Sequence, residues 1–199
     1  MWTLPNILTI SRIAATPVFI LLFFVSEDGT RPTYTHSWAA WSCLALYVIA
    51  AATDYFDGFL ARRWKQVSPV GIFLDPISDK ILVATLLVLL VGFGRLPDLW
   101  MIPAIVIMVR EFLIAGLREF LGPADIRLPV SKLAKWKTAI QMVAIGFLVI
   151  GPYGENVLPY TLTIGRWGLT LAAILTVTTG WSYMKAGFAH IRAMENKTP

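Results

Sequence analysis

A single cysteine, Cys43, in 199 residues excludes an internal disulfide. The only two histidines, His36 and His190, stand far apart in the chain and with one cysteine make no zinc-ligand pattern. Charge is scarce as well. Asp, Glu, Lys and Arg make up 15% of the residues, against about 25% in ordinary soluble domains. A soluble globule could not cover its surface with so few charges, and a disordered chain would carry far less apolar sequence. The opening MWTLPNILTISR has no basic leader ahead of its apolar run, so that run is expected to be a retained span and not a secretory signal.

Apolar sequence is abundant: 57% of residues are hydrophobic and the mean hydropathy is +0.67. The natural solvent for such a chain is lipid. Six apolar stretches, near residues 7–25, 38–61, 72–93, 99–120, 133–151 and 160–184, are separated by turn-rich breaks such as EDGTRPT, KQVSPVG and LGPADIRLP. At about 20 residues per span they use about 120 residues. The expected organisation is therefore all-α, six transmembrane helices forming one membrane domain over 1–199. Trp2, Leu4 and Pro5 suggest a short interfacial approach to the first span.

Lysine and arginine number 17 against 12 acidic residues, a net charge of +5. The cations gather in short loops, which fits anionic headgroups and orientation in a membrane, not nucleic acid. Arg62, Arg63, Lys65, Arg118, Arg127, Lys132, Lys135, Lys137, Lys185, Arg192 and Lys197 fall on one side, and Arg31, Arg95 and Arg166 on the other. Both termini are then expected to be cytoplasmic.

The informative feature is a set of acids where lipid forbids them. Asp54 and Asp57 end the second span, and Asp75 and Asp79 begin the third. An ionisable group inside a span marks a functional site by default. Asp54, Asp57, Gly58 and Ala61 follow i, i+3, i+4, i+7, and Gly71, Asp75 and Asp79 follow i, i+4, i+8, so each set lies along one helix face. A short connection near 63–70 would bring the four carboxylates together about 10–15 Å from the turn, using the helical rise per residue.

Single paired charges can be internal ion pairs, and single glycines can be packing positions. Four aspartates on two coordinated faces go further. They cannot all ionise without protons or cations, and hard oxygen ligands select Mg²⁺, Mn²⁺ or Ca²⁺ over zinc. Two divalent ions would balance them and form a clamp suited to displacement at phosphorus. Gly58 and Gly71 would admit a bulky ligand to the backbone, and Arg62 could grip a diphosphate.

The segment D54-YF-D57-G58-FL-A61-R62, then eight residues, then G71-IFL-D75-PIS-D79, resembles the signature of the CDP-alcohol phosphotransferase family, with every fixed position and both gaps matched. The resemblance implies an integral-membrane enzyme, often a homodimer, that uses two divalent cations, Mg²⁺ or Mn²⁺, to displace CMP from a CDP-linked substrate. It makes Asp54, Asp57, Asp75 and Asp79 the metal-binding acids, Asp79 also the base, and Gly58, Ala61, Arg62 and Gly71 the CDP-binding positions. Cytidine itself comes only from this resemblance.

Three further segments, L4-PNILTIS-R12, R110-E111-FLIAGL-R118-E119 and K135-W-K137-T138-AI-Q141, resemble the branch of the family that makes phosphatidylglycerophosphate in the bacterial inner membrane. That branch implies CDP-diacylglycerol as donor and glycerol 3-phosphate as acceptor. Ala134 departs from the glycine often found there but leaves both lysines in place. Chemistry points the same way: a phosphate near −2 needs several fixed cations. Arg110, Arg118, Lys135 and Lys137 are the candidates, and Arg110 sits inside the fourth span, where a lone cation is costly. Other acceptors, such as serine, an inositol phosphate or phosphatidylglycerol, remain rivals within the family. A cation transporter is the rival from another class, but beyond Lys80 the third span reads ILVATLLVLLVGF and offers no polar path.

Overall fold

A computed structural model describes residues 4–25, 37–64, 69–121 and 132–195 of the chain. The regular structure there is entirely helical: α1 (Leu4–Phe24), α2 (Ser37–Trp64), α3 (Pro69–Gly92), α4 (Met101–Leu121), α5 (Lys132–Ile150) and α6 (Thr161–Glu195). Short 3-10 turns at Asp98–Trp100 and Gly151–Asn156 precede α4 and follow α5. Three stretches, Asp98–Leu121, Lys135–Asn156 and Thr161–Ala189, are long and apolar enough to cross a bilayer. Shorter apolar stretches, Thr9–Phe24, Trp38–Thr53 and Lys80–Gly92, lie in α1, α2 and α3.

Helix ends differ from hydropathy in explicable ways. Leu4 and Pro5 form the first turn of α1 instead of a separate approach, and Pro69 opens α3. Proline suits a first turn, where its missing N–H has no helical acceptor to lose. The α6 helix runs to Glu195, past the apolar limit near 184, because Lys185 and Arg192 are sound helix formers once outside lipid.

The chain forms two compact units. Unit one holds Met1–Pro97 and Ile145–Gly165, and unit two holds Asp98–Ala144 and Arg166–Pro199. In unit one, α1 packs against α2 and α3. Ala40, Cys43, Tyr47 and Ala50 make a buried stripe on α2, at i, i+3, i+7, i+10. Cys43 is fully buried. Phe93 meets the edges of Phe23 and Phe24, with centroids 5.3 and 5.0 Å apart, a geometry favoured by the ring quadrupole. In unit two, Ile107, Ile114 and Leu121 of α4 and Leu169, Ala172 and Ala173 of α6 are buried. Gly168 brings α6 close to α5, since a Cβ there would lie 3.1 Å from the Ala144 Cβ.

The outer faces are apolar. Leu21, Val48, Ile49 and Val88 in unit one, and Phe112, Leu113, Trp136 and Trp181 in unit two, are exposed. Water would penalise such surfaces, whereas lipid requires them. Threonine hydroxyls turn back to their own helix: Thr53 donates to the Ile49 carbonyl at 2.9 Å and Thr179 to the Leu175 carbonyl at 2.7 Å. These bonds satisfy the hydroxyls without water. The chain is an all-helical membrane protein.

Candidate active site

All eight signature positions are on regular helix. Asp54, Asp57, Gly58, Ala61 and Arg62 lie in α2, and Gly71, Asp75 and Asp79 in α3. Their spacings therefore translate into shared faces. Asp57 is seven residues before the end of α2 at Trp64, and Asp75 is six after the start of α3 at Pro69. Asp54 and Asp79 are each ten residues from those same ends. Gly71 is buried. The side chains of Asp54, Asp57, Ala61, Arg62, Asp75 and Asp79 lie outside the described residues.

Around these helices the described residues add polar groups. Ser78, next to Asp79, is fully buried, and Thr9, Arg12 and Thr16 are buried along one face of α1. Sequence reasoning took Arg12 only as part of a family-like segment. The i, i+3, i+7 spacing of these three in an apolar helix was the available signal. Among the described residues no group of three or more His, Cys, Asp or Glu could hold a metal, and the four aspartates are outside that set. Their chemistry, carboxylate oxygens at helical spacing, fits hard divalent cations.

The acceptor candidates sort differently. Arg110, Arg118 and Lys137 gather in unit two around two residues that sequence reasoning used little or not at all. The first is Glu111. Its Oε1 accepts from Arg110 Nη1 at 3.1 Å and from Lys137 Nζ. Lys137 is only 5% exposed, so this carboxylate offsets a charge that lipid and protein could not otherwise hold. The second is Tyr183 of α6. The guanidinium carbon of Arg110 lies 6.0 Å from its ring centroid and that of Arg118 lies 5.7 Å away, within reach of cation–π attraction.

Lys135 differs from Lys137 in its surroundings. It is exposed, and two positions along a helix rotate it by about 200° from Lys137 at 3.6 residues per turn. Two buried polar atoms in the cluster have no hydrogen-bond partner, Tyr183 Oη and Arg110 Nε. Leaving such a group unsatisfied costs about 1–3 kcal/mol. Among the described residues, three cations against one carboxylate leave two positive charges, which would balance the charge near −2 of a phosphate monoester.

The sequence match gives the class first: a phosphatidyltransferase. The chain belongs to the CDP-alcohol phosphatidyltransferase family, whose model matches residues 2–181. A Rickettsia bellii protein named CDP-diacylglycerol–glycerol-3-phosphate 3-phosphatidyltransferase is 44% identical over 92% of this chain and 94% of its own length. Proteins of the same name from Cereibacter sphaeroides and Pseudomonas fluorescens are 36% and 35% identical. They match over 96% and 95% of this chain, and over 98% and 92% of their own lengths.

Proposed function

We propose that this protein transfers the phosphatidyl group of CDP-diacylglycerol to glycerol 3-phosphate, giving phosphatidylglycerophosphate and CMP. The observation that carries this reading is the family match over residues 2–181, joined to relatives named for that reaction along nearly their whole length. The match runs through segments of both compact units, which supports a single functional domain.

Asp54, Asp57, Asp75 and Asp79 are the residues that would hold two divalent cations, Mg²⁺ or Mn²⁺, which when bound supply charge neutralisation at the diphosphate. Arg62 grips that diphosphate, and Gly58, Ala61 and Gly71 leave room for the CDP moiety. Asp79 takes the proton of the glycerol 3-phosphate 1-hydroxyl. That oxygen bonds to the lipid-side phosphorus as the bond from this phosphorus to the CMP oxygen breaks. Arg110, Arg118 and Lys137 hold the acceptor phosphate, and exposed Lys135 attracts it by charge. The fatty chains remain in the bilayer.

Six helices and the distribution of basic residues support a reading of six spans with cytoplasmic termini in the bacterial inner membrane. The active site then lies at the cytoplasmic ends of α2 and α3. Family resemblance favours a homodimer, which light scattering would read as twice the 22.1 kDa chain mass. The test of function is CMP release by purified protein in CDP-diacylglycerol micelles. Release that requires both glycerol 3-phosphate and a divalent cation is expected. Release with serine or inositol phosphate, and none with glycerol 3-phosphate, would refute the assignment.

A further inference from the structure

The α6 helix carries a stripe of three residues, Gly180, Tyr183 and Gly187, at i, i+3 and i+7, and the two glycines set how closely α4 can lie. A Cβ at Gly180 would come 3.1 Å from Arg110 Cγ and 3.3 Å from its Nε. A Cβ at Gly187 would come 2.6 Å from the Leu117 side chain. The stem of Arg110 thus lies directly on the α6 backbone. Arg118, two turns further along α4, reaches the same tyrosine ring. Two guanidiniums therefore lie within about 6 Å of the ring that carries this hydroxyl.

That hydroxyl is buried, in a residue 4% exposed, and has no partner. Arg110 Nε, close by, is a second buried donor without one. Arginine offers only donors. Arginines can donate to a phenol oxygen but cannot accept its proton, so the O–H still has a proton to give. One group satisfies both donors and the net charge of +2: an oxyanion with several acceptor oxygens and a charge near −2, a phosphate monoester. A carboxylate would leave one charge over, and a neutral alcohol both.

We infer that Tyr183 is an acceptor-binding residue that selects phosphorylated acceptors, its hydroxyl donating a hydrogen bond to the acceptor phosphate while its ring attracts the Arg110 and Arg118 guanidiniums. This rests on the reading of unit two as the acceptor-phosphate site. Glu111 complements it by keeping Lys137 and Arg110 in place, and Gly180 by admitting the Arg110 stem.

The test is steady-state CMP release by the full-length protein in CDP-diacylglycerol micelles, with glycerol 3-phosphate varied at saturating Mg²⁺. Tyr183→Phe keeps the ring and removes only the hydroxyl. It should raise the KM for glycerol 3-phosphate on the order of 10- to 100-fold, the range for a hydrogen bond to a charged group. The kcat at saturation and the KM for CDP-diacylglycerol should stay within about twofold, as expected for uniform binding lost on one substrate alone. Tyr183→Leu, which also frees both guanidiniums, should raise the glycerol 3-phosphate KM further. A Tyr183→Phe enzyme with an unchanged glycerol 3-phosphate KM, beside an Arg118→Ala enzyme whose KM is raised, overturns the role of the hydroxyl alone. If Arg118→Ala also leaves it unchanged, the acceptor site itself is misassigned. A fall in kcat with both KM values moving together would make Tyr183 merely structural and overturn the inference.

Discussion

The guanidinium of Arg95 occupies the space that a side chain at Gly151 would need. Gly151 also has φ +59°, a left-handed conformation that side chains disfavour. Two independent constraints therefore fix glycine where the 3-10 turn leaves α5, and a 94%-buried cation depends on it. Gly151→Ala should destabilise the protein by about 1–3 kcal/mol from backbone strain alone, with more from displaced Arg95. A melting midpoint in detergent equal to wild type would count against this account.

Glu111 joins two cations from different helices, so its pairing with Lys137 should be energetically coupled. A double-mutant cycle of Glu111→Gln and Lys137→Met, read by denaturant unfolding in micelles, should give an interaction of about 0.5–3 kcal/mol. Strict additivity would mean that the pair makes no net contribution. Glu111→Gln should lose more than the double, because it leaves buried Lys137 unpaired, whereas Lys137→Met leaves Glu111 its bond from Arg110.

Asp57→Asn and Asp75→Asn should each abolish CMP release while the protein still elutes as a folded micellar species. Each removes one ligand charge from a set that hard cations need. Turnover is to be followed across Mg²⁺ and Mn²⁺ titrations, and chelation with EDTA should silence the wild type. Near-normal turnover of either variant at every metal level would dismiss the aspartates as the cation site.

Arg118→Ala and Arg62→Ala should separate acceptor from donor. The first should lower kcat/KM for glycerol 3-phosphate by on the order of 10- to 150-fold, corresponding to about 1.5–3 kcal/mol for a charge-assisted hydrogen bond. The second should act mainly on CDP-diacylglycerol. Arg118→Lys should restore only part of the loss, because lysine lacks the planar fork. The reverse pattern would exchange the two assignments.

The six helices were legible in the sequence because hydropathy and turn residues report span interiors directly. The end of α6 was not, since Lys185 and Arg192 look like a loop to hydropathy while remaining good helix formers. Within the acceptor candidates, sequence supplied Arg110, Arg118 and Lys137 by family-like segments and by charge. It gave Lys135 and Lys137 together, from one family-like segment, and could not tell that Lys137 is buried while Lys135 is exposed. Glu111 and Lys137 are 26 residues apart, and no local pattern encodes that meeting. Tyr183 was hidden for another reason: a tyrosine in a membrane helix resembles an interfacial anchor. Only its burial and the glycines either side distinguish it.

The complete burial of Cys43 makes the natural chain nearly blind to thiol reagents in its folded state. A maleimide too polar to cross the membrane should therefore leave the unaltered protein dark, with no need to replace the cysteine first. A cysteine introduced at position 65 should then label only after the cell is opened, and one at position 155 in intact cells. Each modified band would report sidedness directly, and labelling of position 65 from outside would invert the proposed orientation. One inaccessible sulfur atom thus gives this protein a silent background for mapping its own insertion.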